Sequence, residues 1–161
     1  MNDDFGEEYR KHLREQLKPI KQLEKIRLVS NNICYGPMPE PDEIVEQVLI
    51  IHADGRVSVS YHPFGTYDHD IDAEDIGRTV KKKSFKISRA RAEYLLSSIR
   101  LFFEEAYTPQ MVTDVGSWVL TFSDKDGNKV ELSDSLYPDN MVLDHDDLSS
   151  RIRRYSLSGK E

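Results

Sequence analysis

The sequence predicts an α+β protein: an antiparallel sheet of about four to six strands packed on one long amphipathic helix, with shorter terminal helices. Three observations carry that reading. Two Asp-Gly turns, Asp54-Gly55 and Asp126-Gly127, each lie between apolar and alternating stretches, the pattern of a β-hairpin. Between those turns Ala92, Leu95, Leu96, Ile99, Phe102, Phe103 and Ala106 recur at helical spacing. The strands are grouped as hairpins and do not alternate singly with helices, which separates α+β from α/β.

Taken in order, Tyr9, Leu13, Leu17, Ile20 and Leu23 form an apolar stripe on a first helix. Pro19 lacks an amide hydrogen and disfavours helix at Lys18, so that helix should stop near Leu17. Lys25–Tyr35 is strand-compatible, and 36–42, with three of the seven prolines, reads as an extended loop. Val45–His52 is apolar and β-branched, and its run Val48–Ile51 predicts a strand covered on both faces. In its hairpin partner Val57, Val59 and Tyr61 alternate with Ser58, Ser60 and His62, which predicts one wet face.

Pro63–Gly77 is polar and acidic, a surface loop, and Arg78–Ile87 resumes as strand. Ser88 is placed to cap the long helix, and Pro109 closes it. Trp118, Leu120 and Phe122 then alternate into the second turn, with Val130 and Leu132 beyond it. Asp134–Asp147 reads as an irregular acidic loop. A last short helix is expected to start near Asp146 or Asp147 and to carry Leu148, Ile152 and Tyr155. Residues 1–161 suit a single domain, with 1–8 and 156–161 as loose ends.

Composition narrows the function classes. The formal net charge is −7, and such a field repels phosphate backbones, which weighs against indiscriminate nucleic-acid binding. A single cysteine, Cys34, excludes an intrachain disulfide and fits a reducing compartment. The acidic start lacks the apolar run of a secretory signal, and no stretch is long enough to span a bilayer. The expectation is a cytoplasmic protein that does not enter a membrane.

Candidate chemistry is sparse. Asp68, His69 and Asp70 form an Asp-His-Asp triplet that Asp144, His145 and Asp146 repeat, and carboxylate with imidazole is a donor set for a divalent ion. Adjacent residues seldom aim three side chains at one point, and a calcium-hand reading of the first loop fails at Ala73 and Thr79. The plainer reading is two solvated acidic loops. Asp124–Asn128 looks like a short calcium loop, yet a hairpin turn accounts for the same residues. No nucleophile elbow or glycine-rich phosphate loop is present, and no cofactor is expected.

One basic stretch stands out. Arg78, Lys81, Lys82, Lys83, Lys86, Arg89 and Arg91 come without an intervening acid. If Lys81 and Lys83 share a strand face, they could meet phosphate or an acidic partner. Lysines guarding an edge strand explain the same residues, and so does pairing with the acidic loop before them. Phe85 is the one aromatic residue in the stretch, which is poor for single-strand stacking. Trp118, whose alternation partners are apolar, belongs to the core.

Several landmarks carry a resemblance to a known group of proteins. These are Tyr35-Gly36-Pro37, Glu46-Gln47 leading into 50–57, 114–120 (Asp-Val-Gly-Ser-Trp-Val-Leu), and Asp147-Leu148-Ser149 followed by Ile152-Arg153. On them the chain resembles a group of small uncharacterised bacterial proteins over roughly residues 35 to 155. It departs from it at Asp134, where the group carries glycine before Ser135-Leu136. The resemblance implies a shared fold and transfers no activity or site. The leading expectation is a non-enzymatic protein-interaction module whose partner is another protein. The alternatives are a metal-dependent enzyme using the Asp-His-Asp loops and a nucleic-acid binder using the basic stretch.

Overall fold

The computed structural model describes residues 4–31, 40, 44–63, 81–109, 116–135, 142–143 and 146–147. In chain order the elements are α1 (Asp4–Leu17), β1 (Leu23–Asn31), β2 (Ile44–His52), β3 (Arg56–Pro63), β4 (Lys81–Lys86), α2 (Arg89–Glu105), β5 (Ser117–Asp124) and β6 (Lys129–Ser135). A short pair follows, β7 (Val142–Leu143) with β8 (Asp146–Asp147). The architecture is α+β. Its main sheet has six antiparallel strands in the order β4-β3-β2-β1-β5-β6.

β1 therefore lies inside the sheet, hydrogen-bonded to β2 on one side and β5 on the other. The register fixes what each face carries. Ile26, Leu28, Leu49, Ile51, Val57, Val59, Trp118, Leu120, Phe122 and Leu132 share one face and are buried. Both helices cover that face: Ala92, Leu95, Leu96, Ile99, Phe102 and Phe103 of α2 and Leu13 and Leu17 of α1 are buried in the same cluster. Phe103 is its aromatic hub, with ring centroids 4.9 Å from Tyr107, 5.8 Å from Trp118 and 6.0 Å from Phe122. Tilted and edge-on rings at such distances add about 0.5–1.5 kcal/mol per pair beyond the area they bury.

The two helices hold each other through arginines. Arg10 and Arg14 of α1 donate to the carbonyls of Tyr107 (3.1 Å) and Glu104 (2.7 Å) at the end of α2. Arg100 of α2 donates to the carbonyls of Leu17 (2.9 Å) and Ile20 at the end of α1. The last carbonyls of a helix have no partner within it, so each helix caps the other's negative end with guanidinium. Ser88 caps the start of α2, its Oγ accepting from the Arg91 amide at 3.2 Å.

Three expectations change. α1 begins at Asp4, and Glu7 pairs with Arg10 and Arg14, so residues 4–8 are helical and not loose. Asp146 and Asp147 form β8 against Val142 and Leu143, where the start of a helix and an irregular loop had been expected. Leu148, Ile152 and Tyr155 lie outside the described residues. Finally, β2 was expected to be covered on both faces, yet no described element packs over Val48 and Ile50.

Candidate functional surface

The basic stretch lands on an edge. β4 is an outermost strand, and its register against β3 sorts the lysines. Lys83 stands opposite buried Val59, half-buried, with its Nζ 5.9 Å from the Phe85 ring centroid. Lys81 pairs with Tyr61 in the strand register. Lys82, Ser84 and Lys86 stand opposite Ser60, Ser58 and Arg56 on the other face, and all three are exposed. The face that carries Lys83 thus points toward the helices, and Lys82 and Lys86 are the pair that reaches out. Arg89 and Arg91 follow, exposed in the first turn of α2, and Arg78 lies outside the described residues.

Following the register across the sheet builds the rest of that outward face. One row runs Lys86–Arg56, then His52–Lys25–Ser123–Lys129. A second runs Ser84–Ser58–Ile50–Arg27–Thr121–Glu131. A third runs Lys82–Ser60–Val48–Val29–Val119–Ser133. Val29, Val48, Ile50 and Val119 are each half-buried and stand apart from the core cluster. Around them the described strands place Lys25, Arg27, Arg56, Lys82, Lys86 and Lys129 against only Glu46 and Glu131. A protein of net charge −7 thus carries a cationic sheet face with an apolar middle.

At the β2–β3–β4 corner this face opens into a cleft of about 480 Å³ whose lining includes His52, Arg56, Ser58, Ser84, Phe85 and Lys86. Arg56 is held in place there. Its amide and Nε donate to Asp54 Oδ1 (3.0 Å) and Oδ2 (2.8 Å), and Nη2 lies 3.4 Å from His52 Nδ1. The His52 ring is held below the ordinary imidazole pKa by burial first and by Arg56 second. A guanidinium only donates, so His52 Nδ1 accepts and the neutral ring carries its proton on Nε2. Asp54 lies below the usual carboxylate range because the Arg56 amide, above all, donates to it.

The other polar cluster is structural. Tyr107 donates its buried phenol hydrogen to Asp134. Burial, then that bond, pushes the phenol far above its ordinary value, so it stays protonated and cannot serve as a base. Asp124 is used by its own turn. Its Oδ1 accepts the amides of Asp126 and Asn128, each at 2.9 Å, and Oδ2 accepts the Asn128 side chain at 2.8 Å. The hairpin thus consumes the carboxylate that a calcium loop would need.

Among the described residues no group of three or more His, Cys, Asp or Glu side chains could hold a metal. Asp68, His69, Asp70, Asp144 and His145 lie outside them, as does Cys34, and Asp146 is placed only by its backbone in β8. Among the described residues no helix is long and apolar enough to cross a membrane. Sequence reasoning missed Lys25, Arg27, His52, Arg56 and Lys129, which a cross-strand register alone brings together. The usable signal was His52 and Arg56 flanking the Asp54-Gly55 turn. Comparison with known proteins finds no matching family model, no matching curated protein and no matching solved structure.

Proposed function

We propose that this chain is a non-enzymatic protein-interaction module that binds an acidic protein through the sheet face that neither described helix covers. One observation carries the reading: Val29, Val48, Ile50 and Val119 form an apolar strip on interior strands, only partly buried, on the face away from the two described helices. Large aliphatic side chains left beside water across neighbouring strands mark an interaction surface. The cationic border gives the partner its sign and steers its approach.

A second copy of this chain fits poorly, since two such faces would bring six cations against six. Nucleic acid is disfavoured by the overall charge and by the face itself, where among the described residues Phe85, at the corner cleft, is the one Phe, Tyr or Trp ring for stacking. The reading extends to the resembling bacterial group as a shared fold, with its two Asp-Gly hairpins packed on the long helix.

Site-specific photo-crosslinking in the native cell tests it. A photoreactive residue at Val119 should give an adduct with one acidic polypeptide, and the same residue at Tyr94, exposed on α2, should give none. Equal adducts at both positions, an adduct with nucleic acid, or none at Val119 would refute it.

A further inference from the structure

We infer that the corner cleft between His52, Arg56 and Lys86 is an anion-binding pocket for a single carboxylate, the anchor point for an acidic side chain of the partner. This rests on the interaction-module reading and adds the group recognised. The geometry comes from two adjacent strand pairs. Ser58 faces Ser84 and Arg56 faces Lys86 in register, two residues further along each strand, so two hydroxyls and two cations border one opening. The remaining donor is His52, one strand inward. All of these can donate hydrogen bonds, and an anion is what such a set can hold.

The charge balance selects its valence. Asp54 already pairs with Arg56 at 2.8 Å, and His52 is neutral, so among the residues lining the cleft the cation left uncompensated is Lys86, for which no ion pair is found among the described residues. One net positive charge matches a monoanion better than a phosphate dianion. Asp54 and His52 also hold the guanidinium in place before anything binds, leaving Nη1 and one Nη2 hydrogen to give, which lowers the ordering cost of binding. The clefted side is also the one where like charges meet: Arg56 and Lys86 directly opposite one another are a repulsive pair that a bound carboxylate relieves.

The test is an NMR titration of the full-length ¹⁵N-labelled chain with a deca-glutamate peptide, with inorganic phosphate and with a ten-residue oligothymidylate. The peptide should shift the His52 ring and the Ser58 and Ser84 amides saturably, and should bind more tightly than phosphate or the oligonucleotide. Lys86→Gln should weaken the peptide about tenfold, the loss of one charge-assisted hydrogen bond. Lys86→Arg should keep most of the affinity, and Lys11→Gln on α1 should change nothing. Tighter binding of phosphate or oligonucleotide, or an unchanged Lys86→Gln, overturns the assignment. Peptide shifts absent while Val119 crosslinks persist would sink this pocket and spare the interaction reading. Loss of the Val119 crosslinks would sink that reading as well.

Discussion

Gly55 and Ile87 are locked backbone to backbone: the Ile87 amide donates to the Gly55 carbonyl at 2.9 Å, and a Cβ at Gly55 would overlap the Ile87 carbonyl oxygen. Gly55 also has φ +103°, a conformation costly to any residue with a side chain. The β2–β3 turn is thereby tied to the segment that leads from β4 into α2, and the corner cleft is built on that tie.

Gly55→Ala and Gly127→Ala should therefore differ. Gly127 also has positive φ, +85°, but a Cβ there would meet nothing within 4 Å. Its replacement should cost about 1–2 kcal/mol, the conformational term alone. Gly55→Ala should cost that plus about 1–3 kcal/mol of overlap. Urea denaturation of both variants decides it, and equal losses would contradict the account.

Arg100→Met should destabilise far more than Lys18→Met. Arg100 donates to two carbonyls at the end of α1 and to Glu104 (2.7 Å), all part-buried, so its loss should cost about 2–4 kcal/mol. Lys18–Glu15 is an exposed pair, and removing it should cost less than about 0.5 kcal/mol. Thermal unfolding of the two variants gives the comparison.

Acid stability should depend on the two turn aspartates. The carboxyl of Asp124 is held below its ordinary value by the Asn128 side chain first, then by turn amides, and that of Asp54 by the Arg56 amide first. A depressed folded pKa contributes stability above the unfolded value, near 3.8, and that contribution disappears as pH falls through the folded value. Asp124→Asn should flatten the stability profile on its acid limb below about pH 5 while leaving its shape at neutral pH. An unchanged acid limb would contradict this.

Two charge reversals should stabilise the protein, and the one at Lys86 should also weaken its binding. Lys86→Glu replaces a repulsive cross-strand pair with an attractive one, a gain of about 0.2–1 kcal/mol. Arg89→Glu puts the favourable sign in the first turn of α2, which has no acidic residue there, for about 0.3–1 kcal/mol. If Lys86→Glu instead lowers stability, the lysine is structural and the interaction account loses its strongest charge.

How much of this was legible in the sequence depended on whether the information was local. The α+β class and the antiparallel sheet followed from alternation such as Val57, Val59 and Tyr61, and the placing of Trp118 in the core followed from its apolar neighbours. β4 defeated the same logic, because Lys82 and Lys83 put the same side chain on both faces and only the pairing with β3 tells them apart. The cationic rows were invisible for a related reason. Lys25, His52, Arg56 and Lys86 are distant in the chain, and the neighbourhood exists only because β1 enters between β2 and β5. The reciprocal arginine caps have the same origin, since nothing local marks Arg100 as a partner of Leu17.

Thiol labelling across β5 measures the central relationship directly. In a Cys34→Ser background, Val119→Cys and Leu120→Cys put a thiol on opposite faces of one strand, away from the helices and beneath them. The Val119→Cys thiol should react with maleimide roughly a hundredfold faster or more, because the buried Leu120→Cys thiol must wait for the protein to open. Deca-glutamate bound over the face should slow it. Equally slow labelling at both positions would mean that the Val119 face is covered in the native chain, and the proposed contact surface would not exist.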